Sequence, residues 1–154
     1  MPSRTTSRRS LLATALAVPT AAAGVPLLTA SPAAAAATGV VTIVDWTDIA
    51  LAAGVSASAG TPAQARVVSI AGTEFLQLRG IVTCAFSGDA QLGTLPATIR
   101  PPKTTRGVCP RNNHLGVNAT RVEADTAGRV MVYGPQTSDP VTWIQLDSFS
   151  SVQR

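Results

Sequence analysis

The chain has 154 residues, 45% hydrophobic and only 13% charged, with 12 Lys+Arg against 8 Asp+Glu. The formal charge of +4 suggests a nucleic-acid binder, yet Arg4, Arg8 and Arg9 supply three of the basic residues inside residues 1–37, which hold no acid. The remainder carries nine basic and eight acidic residues, a net +1 with no Lys/Arg cluster, and this excludes the basic footprint of nucleic-acid binding.

Residues 1–37 read as an export signal. The pair Arg8-Arg9 runs directly into Leu11, Leu12, Leu16 and Val18, and the small-residue run Ser31–Ala37 closes the segment. Paired arginines before an apolar stretch are the mark of the twin-arginine route, and Ala35-Ala36-Ala37 is the expected cleavage site. The uncharged span from Ser10 to Val44 is long enough for a membrane anchor, the competing reading. Pro19, Pro26 and Pro32 interrupt it, which favours cleavage and a secreted, extracellular product. The first cysteine is Cys84, so no lipoprotein site exists near the cleavage point.

Residues 38–44 follow as a short linker or leading strand, and residues 45–154 as one domain. The turn signals are dense and no helical period appears, so the expected class is all-β, a single antiparallel sandwich of about eight strands. Residues 64–71 form the first clear strand, and Gly72-Thr73 turns into the next. From Glu74 to Phe86 the even positions are Leu76, Leu78, Gly80, Val82, Cys84 and Phe86, with Gln77, Arg79 and Thr83 between them. That period of two predicts a half-buried strand with its even face inward, and Gly80 marks a bulge or bend. Residues 120–134 read as a hairpin around Asp125-Thr126-Ala127-Gly128, with Gly128 suited to positive φ. The last strand is Val141–Leu146. Weaker strands are 40–44, 48–52, 91–95 and 105–109, joined by connections such as 53–63 and 134–140.

No residue set nominates a chemical step, so no enzyme, cofactor or metal is expected. His114 is the one histidine and lies in the polar run Arg111-Asn112-Asn113-His114, without partners at metal-ligand spacing. Asp45, Asp48 and Asp125 lack the alternating pattern of a calcium loop. Eight scattered acids (Asp45, Asp48, Glu74, Asp89, Glu123, Asp125, Asp139 and Asp147) leave a hydrolase as a third reading, with no pair singled out. Cys84 and Cys109 are expected to form a disulfide after export, the alternative being two separately buried thiols. Trp46 and Trp143 are read as core anchors. The alternative for these two and Tyr133 is an exposed stacking surface for sugar rings.

Taken in order, several segments resemble one known module. Asp45–Leu51 is similar to a W-T-x-L-x-L opening, Leu78–Val82 to L-R-G-x-V, and Gly93–Pro101 to G-T-L-P-x-G-Y-R-P. The hairpin from Arg121 to Gly134 and Trp143–Asp147, similar to W-V-S-L-D, complete the series. This order resembles the C-terminal β-sandwich of phage tail fibres and related host-recognition proteins, over most of residues 45–150. Thr98-Ile99 stands where that pattern has Gly-Tyr, and Ser148 where it has Gly. The resemblance implies a receptor-binding role and a trimer. The first expectation is therefore a secreted, non-catalytic binding module for an envelope glycan or a surface protein. The ligand-binding residues are not fixed by the sequence; the loop 110–116, with Arg111, Asn112, Asn113 and His114, is the first candidate for contact, against the reading of a solvated connection. The second is a structural or protein-interaction domain of a phage-like particle.

Overall fold

The computed structural model describes residues 39–154. The expected signal, with Arg8, Arg9 and Ala37, lies outside the described residues. Residues 39–154 form the expected all-β antiparallel sandwich. Twelve strands run in chain order: β1 (Val40–Asp48), β2 (Ala50–Leu51), β3 (Ser56–Ala57), β4 (Gln64–Ile70), β5 (Thr73–Arg79) and β6 (Ile81–Phe86), then β7 (Ala90–Thr94), β8 (Thr105–His114), β9 (Val117–Ala124), β10 (Arg129–Tyr133), β11 (Val141–Gln145) and β12 (Ser150–Val152). One sheet has the order β1-β4-β5-β12, the other β2-β7-β10-β9-β8-β11-β6-β3.

The long alternating run 74–86 is two strands rather than one. β5 belongs to the four-stranded sheet and β6 to the eight-stranded sheet, and the chain changes sheet at Gly80. The even face still points inward throughout, because a chain that bends round the edge of a sandwich keeps the same side toward the core. Leu76, Leu78, Val82 and Cys84 are all buried. Gly80 sits at φ +104°, where a Cβ would lie 2.2 Å from the Pro62 carbonyl oxygen. Its N–H donates to Asp147 Oδ1 (2.9 Å), and its carbonyl accepts from Leu146 N–H (2.8 Å).

The core between the sheets is aliphatic, with Phe149 the largest fully buried side chain. Neither tryptophan anchors it. Trp46 is half-buried on an outer face and Trp143 is 37% exposed, so the core expectation for both is corrected. The cause is register: β1 carries irregularities between Thr42 and Val44 and between Val44 and Thr47, which turn Trp46 outward.

The expected disulfide is also corrected. Cys84 and Cys109 are free, buried thiols. Cys84 lies in β6 and Cys109 in β8, on either side of β11. Two strand spacings amount to about 10 Å, beyond the ~7 Å limit for bridging Cα atoms. They are staggered along β11 as well. Cys84 Sγ donates to the Val141 carbonyl at its start (3.4 Å), whereas Cys109 meets Ser148 beyond its end. Burial pushes both thiols up to about 11.

Gly93–Pro101, the most distinctive stretch of the sequence, closes one corner. A Cβ on Gly93 would lie 2.7 Å from the Ala50 carbonyl oxygen, because β2 crosses there. Leu95 N–H donates to the Gly128 carbonyl (2.7 Å), and Ile99 is buried. Arg100 donates to the carbonyls of Pro96 (3.1 Å) and Ile99 (3.0 Å). These residues serve the fold.

Candidate functional site

The outer face of the four-stranded sheet presents the best-formed recognition surface. Antiparallel pairing sets Gln64 opposite Arg79 and Arg66 opposite Gln77, all four pointing away from the core. Trp46 reaches over them from β1. Asp45 Oδ1 accepts the Trp46 N–H (2.7 Å) and the Asp45 carbonyl accepts the Thr47 hydroxyl (3.0 Å), which pins the irregular backbone that turns the indole outward. The guanidinium carbons of Arg79 and Arg66 lie 4.2 and 4.5 Å from the indole centre, within cation–π range.

Each arginine is oriented by a neutral amide. Arg66 Nε donates to Gln77 Oε1 (2.8 Å) and Arg79 Nε to Gln64 Oε1 (2.9 Å). Gln64 Nε2 in turn donates to Asp48 Oδ1 (2.7 Å), and Gln77 Nε2 to the Ser150 hydroxyl (3.3 Å). The cleft between these residues and the Asp147–Ser150 segment has a volume of about 330 Å³. Asp147 at its rim is held below the usual carboxylate range by the Gly80 N–H and then by the Gln145 amide. An indole beside fixed guanidinium and amide donors suits stacking on a sugar ring with hydrogen bonds to its substituents.

The polar run named as the candidate contact loop is instead the end of β8, and three of its members are engaged in bonds within the molecule. The Arg111 side chain is 1% exposed and forks onto Asp139 (Nη1 to Oδ2, 3.2 Å), with a further bond to the Pro140 carbonyl (3.2 Å). Asn112 donates to the Pro140 carbonyl (3.0 Å) and accepts from Thr142 N–H (2.8 Å). His114 Nδ1 lies 3.2 Å from Asp139 Oδ1. Asn113 alone points freely to solvent. These bonds tie the 134–140 connection to β8, and the Arg111 guanidinium, followed by His114, holds Asp139 below the usual carboxylate range.

Several of the scattered acids are held by arginines. Glu123 is bridged by Arg106 (2.7 Å) and Arg121 (3.2 Å). Partial burial works to raise the Asp125 carboxyl, but bonds from Arg129 and from the Ala127 N–H outweigh it and leave it lowered. A general acid needs the opposite shift. Among the described residues no cluster of three potential metal ligands occurs.

Two further surfaces stand out. Trp143 lies on the outer face of the eight-stranded sheet, opposite Thr83, whose other neighbour is Ser56. Tyr133 sits under Arg121 (4.5 Å) beside the ion-paired Arg106, Glu123 and Arg129. At the β8–β9 hairpin tip Leu115 has φ +51° and is 75% exposed.

By shape, the chain is similar to the receptor binding protein gp15 of Listeria phage PSA. The TM-score is 0.54 at 18% identity, over 73% of this chain and 67% of that one. It is also similar to the head domain of the lactococcal phage bIL170, at TM-score 0.43 and 17% identity, over 72% of this chain and 93% of that one. The first likeness shows a shared fold, and the second is too loose to carry an argument. No protein-family model matches the chain, and no curated protein matches its sequence.

Proposed function

We propose that this chain is an exported, non-catalytic binding module that recognises a glycan or other component of a cell envelope through the Trp46 cleft. The observation that carries the reading is the outward indole, held by the irregular β1 backbone beside four oriented polar side chains. The fold shared with a phage receptor binding protein supports it. The twin-arginine pair Arg8-Arg9 supports an extracellular place of work.

The purified chain, mixed with intact cells and with cell-wall fractions, is expected to co-sediment with them. Trp46→Ala should abolish retention, and no sugar or peptide should be released into the supernatant. Retention unchanged by Trp46→Ala refutes the cleft, and released product makes the protein an enzyme. A second reading, an interaction domain of a phage-like particle, is favoured by one feature. Leu115 holds an apolar side chain in solvent on a strained backbone, which serves the fold poorly. Retention lost with Leu115→Asn but kept with Trp46→Ala favours that reading.

A further inference from the structure

We infer that the ligand of the Trp46 cleft is an acidic saccharide, whose carboxylate or phosphate sits between Arg66 and Arg79; this rests on the glycan reading above. Charge pairing sets these two arginines apart. Among the described residues, Arg106, Arg111, Arg121, Arg129 and Arg154 each lie within 3.7 Å of a carboxylate oxygen. Arg100 spends its guanidinium on backbone carbonyls. Arg66 and Arg79 likewise have no carboxylate partner, but their terminal nitrogens are not spent on backbone carbonyls, and both lie beside one indole.

Two like charges side by side repel, and fold stability alone would set glutamates opposite them. The sequence places Gln77 and Gln64 there instead. A neutral Oε1 aims each guanidinium without neutralising it. Neither terminal nitrogen of Arg66 has a hydrogen-bond partner among the described residues, and Nη1 of Arg79 is likewise free. Asp147 is near enough for Arg79 to stabilise its charge, but its oxygens are already taken by Gly80 N–H and Gln145. Free, oriented guanidinium donors match the planar fork of a carboxylate or the oxygens of a phosphate. Beside them, the indole provides the ring contact expected of a sugar.

The test uses Trp46 fluorescence in the full chain carrying Trp143→Phe, so that one indole reports. The probes are oligogalacturonate, poly(glycerol phosphate) and a neutral galacto-oligosaccharide. At least one acidic probe should bind, weakening as salt is raised, and the neutral sugar should bind about tenfold or more weakly. Arg66→Gln and Arg79→Gln should each cost about tenfold on the acidic probe and little on the neutral one. Oligogalacturonate alone binding identifies a carboxylate, and poly(glycerol phosphate) alone a phosphate. Equal binding of neutral and acidic sugars, insensitive to both arginine substitutions, overturns the inference and leaves the glycan reading standing. No binding by any probe, in a chain whose fold is confirmed by circular dichroism, overturns both.

Discussion

Replacing Gly80 by alanine attacks the point where the chain crosses from one sheet to the other. Two costs add there. A non-glycine residue at φ +104° is strained by ~1–3 kcal/mol. The new Cβ would also stand 2.2 Å from the Pro62 oxygen and 2.7 Å from its carbonyl carbon, backbone atoms that cannot rotate away. The neighbouring Ala63 carbonyl accepts from Ile49 N–H (2.9 Å), so retreat of this segment disturbs a second contact. Overpacking of this kind typically costs ~1–3 kcal/mol. The total, about 2–6 kcal/mol, is a large part of the ~5–15 kcal/mol that holds a domain together. Urea unfolding followed by tryptophan fluorescence measures it. Gly72→Ala is the control, since its φ is +85° but nothing lies within 4 Å of its Cβ. Gly80→Ala should lose clearly more stability than Gly72→Ala. Equal losses would refute the steric half of the reasoning, and losses within ~0.5 kcal/mol of zero for both would refute the strained corner altogether.

Both cysteines should react with a thiol reagent after denaturation without reductant, and neither should react in the folded protein; a thiol count of zero in the denatured, unreduced chain would restore the disulfide. Asp125, Asp139 and Asp147 all titrate below their ordinary range when folded, so their stabilisation is present above about pH 4 and is lost as pH falls through the folded-state values. Thermal melts should accordingly decline in acid, and Asp147→Asn should flatten that decline. Leu115→Asn relieves a non-glycine residue at φ +51° and should raise stability by ~0.5–1 kcal/mol, read as a higher urea midpoint.

Local patterns were the legible part of the sequence. The alternation Leu76–Cys84 identified the inward face correctly, and Gly80 marked the bend, though periodicity alone does not say that the two halves join different sheets. Asp125–Gly128 announced its hairpin, and the structure shows why: Asp125 Oδ1 accepts from Ala127 N–H (3.0 Å) and Arg129 N–H (2.8 Å), with Gly128 at φ +84°. The misread residues depend on distant partners. Arg111–His114 looks like a loop because it is polar, yet Asp139, 28 residues away from Arg111, lets that guanidinium be buried inside a strand. Trp46 looks like a core residue because it is large and apolar. Its outward turn depends on β1 slipping register against β4, and its partners stand 20 and 33 positions along the chain. The cysteine reading failed because strand order, which puts β11 between β6 and β8, is not a local property.

The pairing within the four-stranded sheet also decides how the domain can be held. Val40, which opens β1, pairs with Ile70, and Val152, which closes β12, pairs with Phe75, so the two ends of the domain lie on opposite edge strands but at the same end of that sheet, beside the β4–β5 turn. Arg66 and Arg79, on the two central strands, lie toward the opposite end, roughly four residues or ~13 Å along the strands. A tether at either end therefore grips the domain away from Trp46. The cleft stays clear of a support joined before Val40 or after Arg154, and a fusion partner or immobilisation tag at either position leaves it unobstructed.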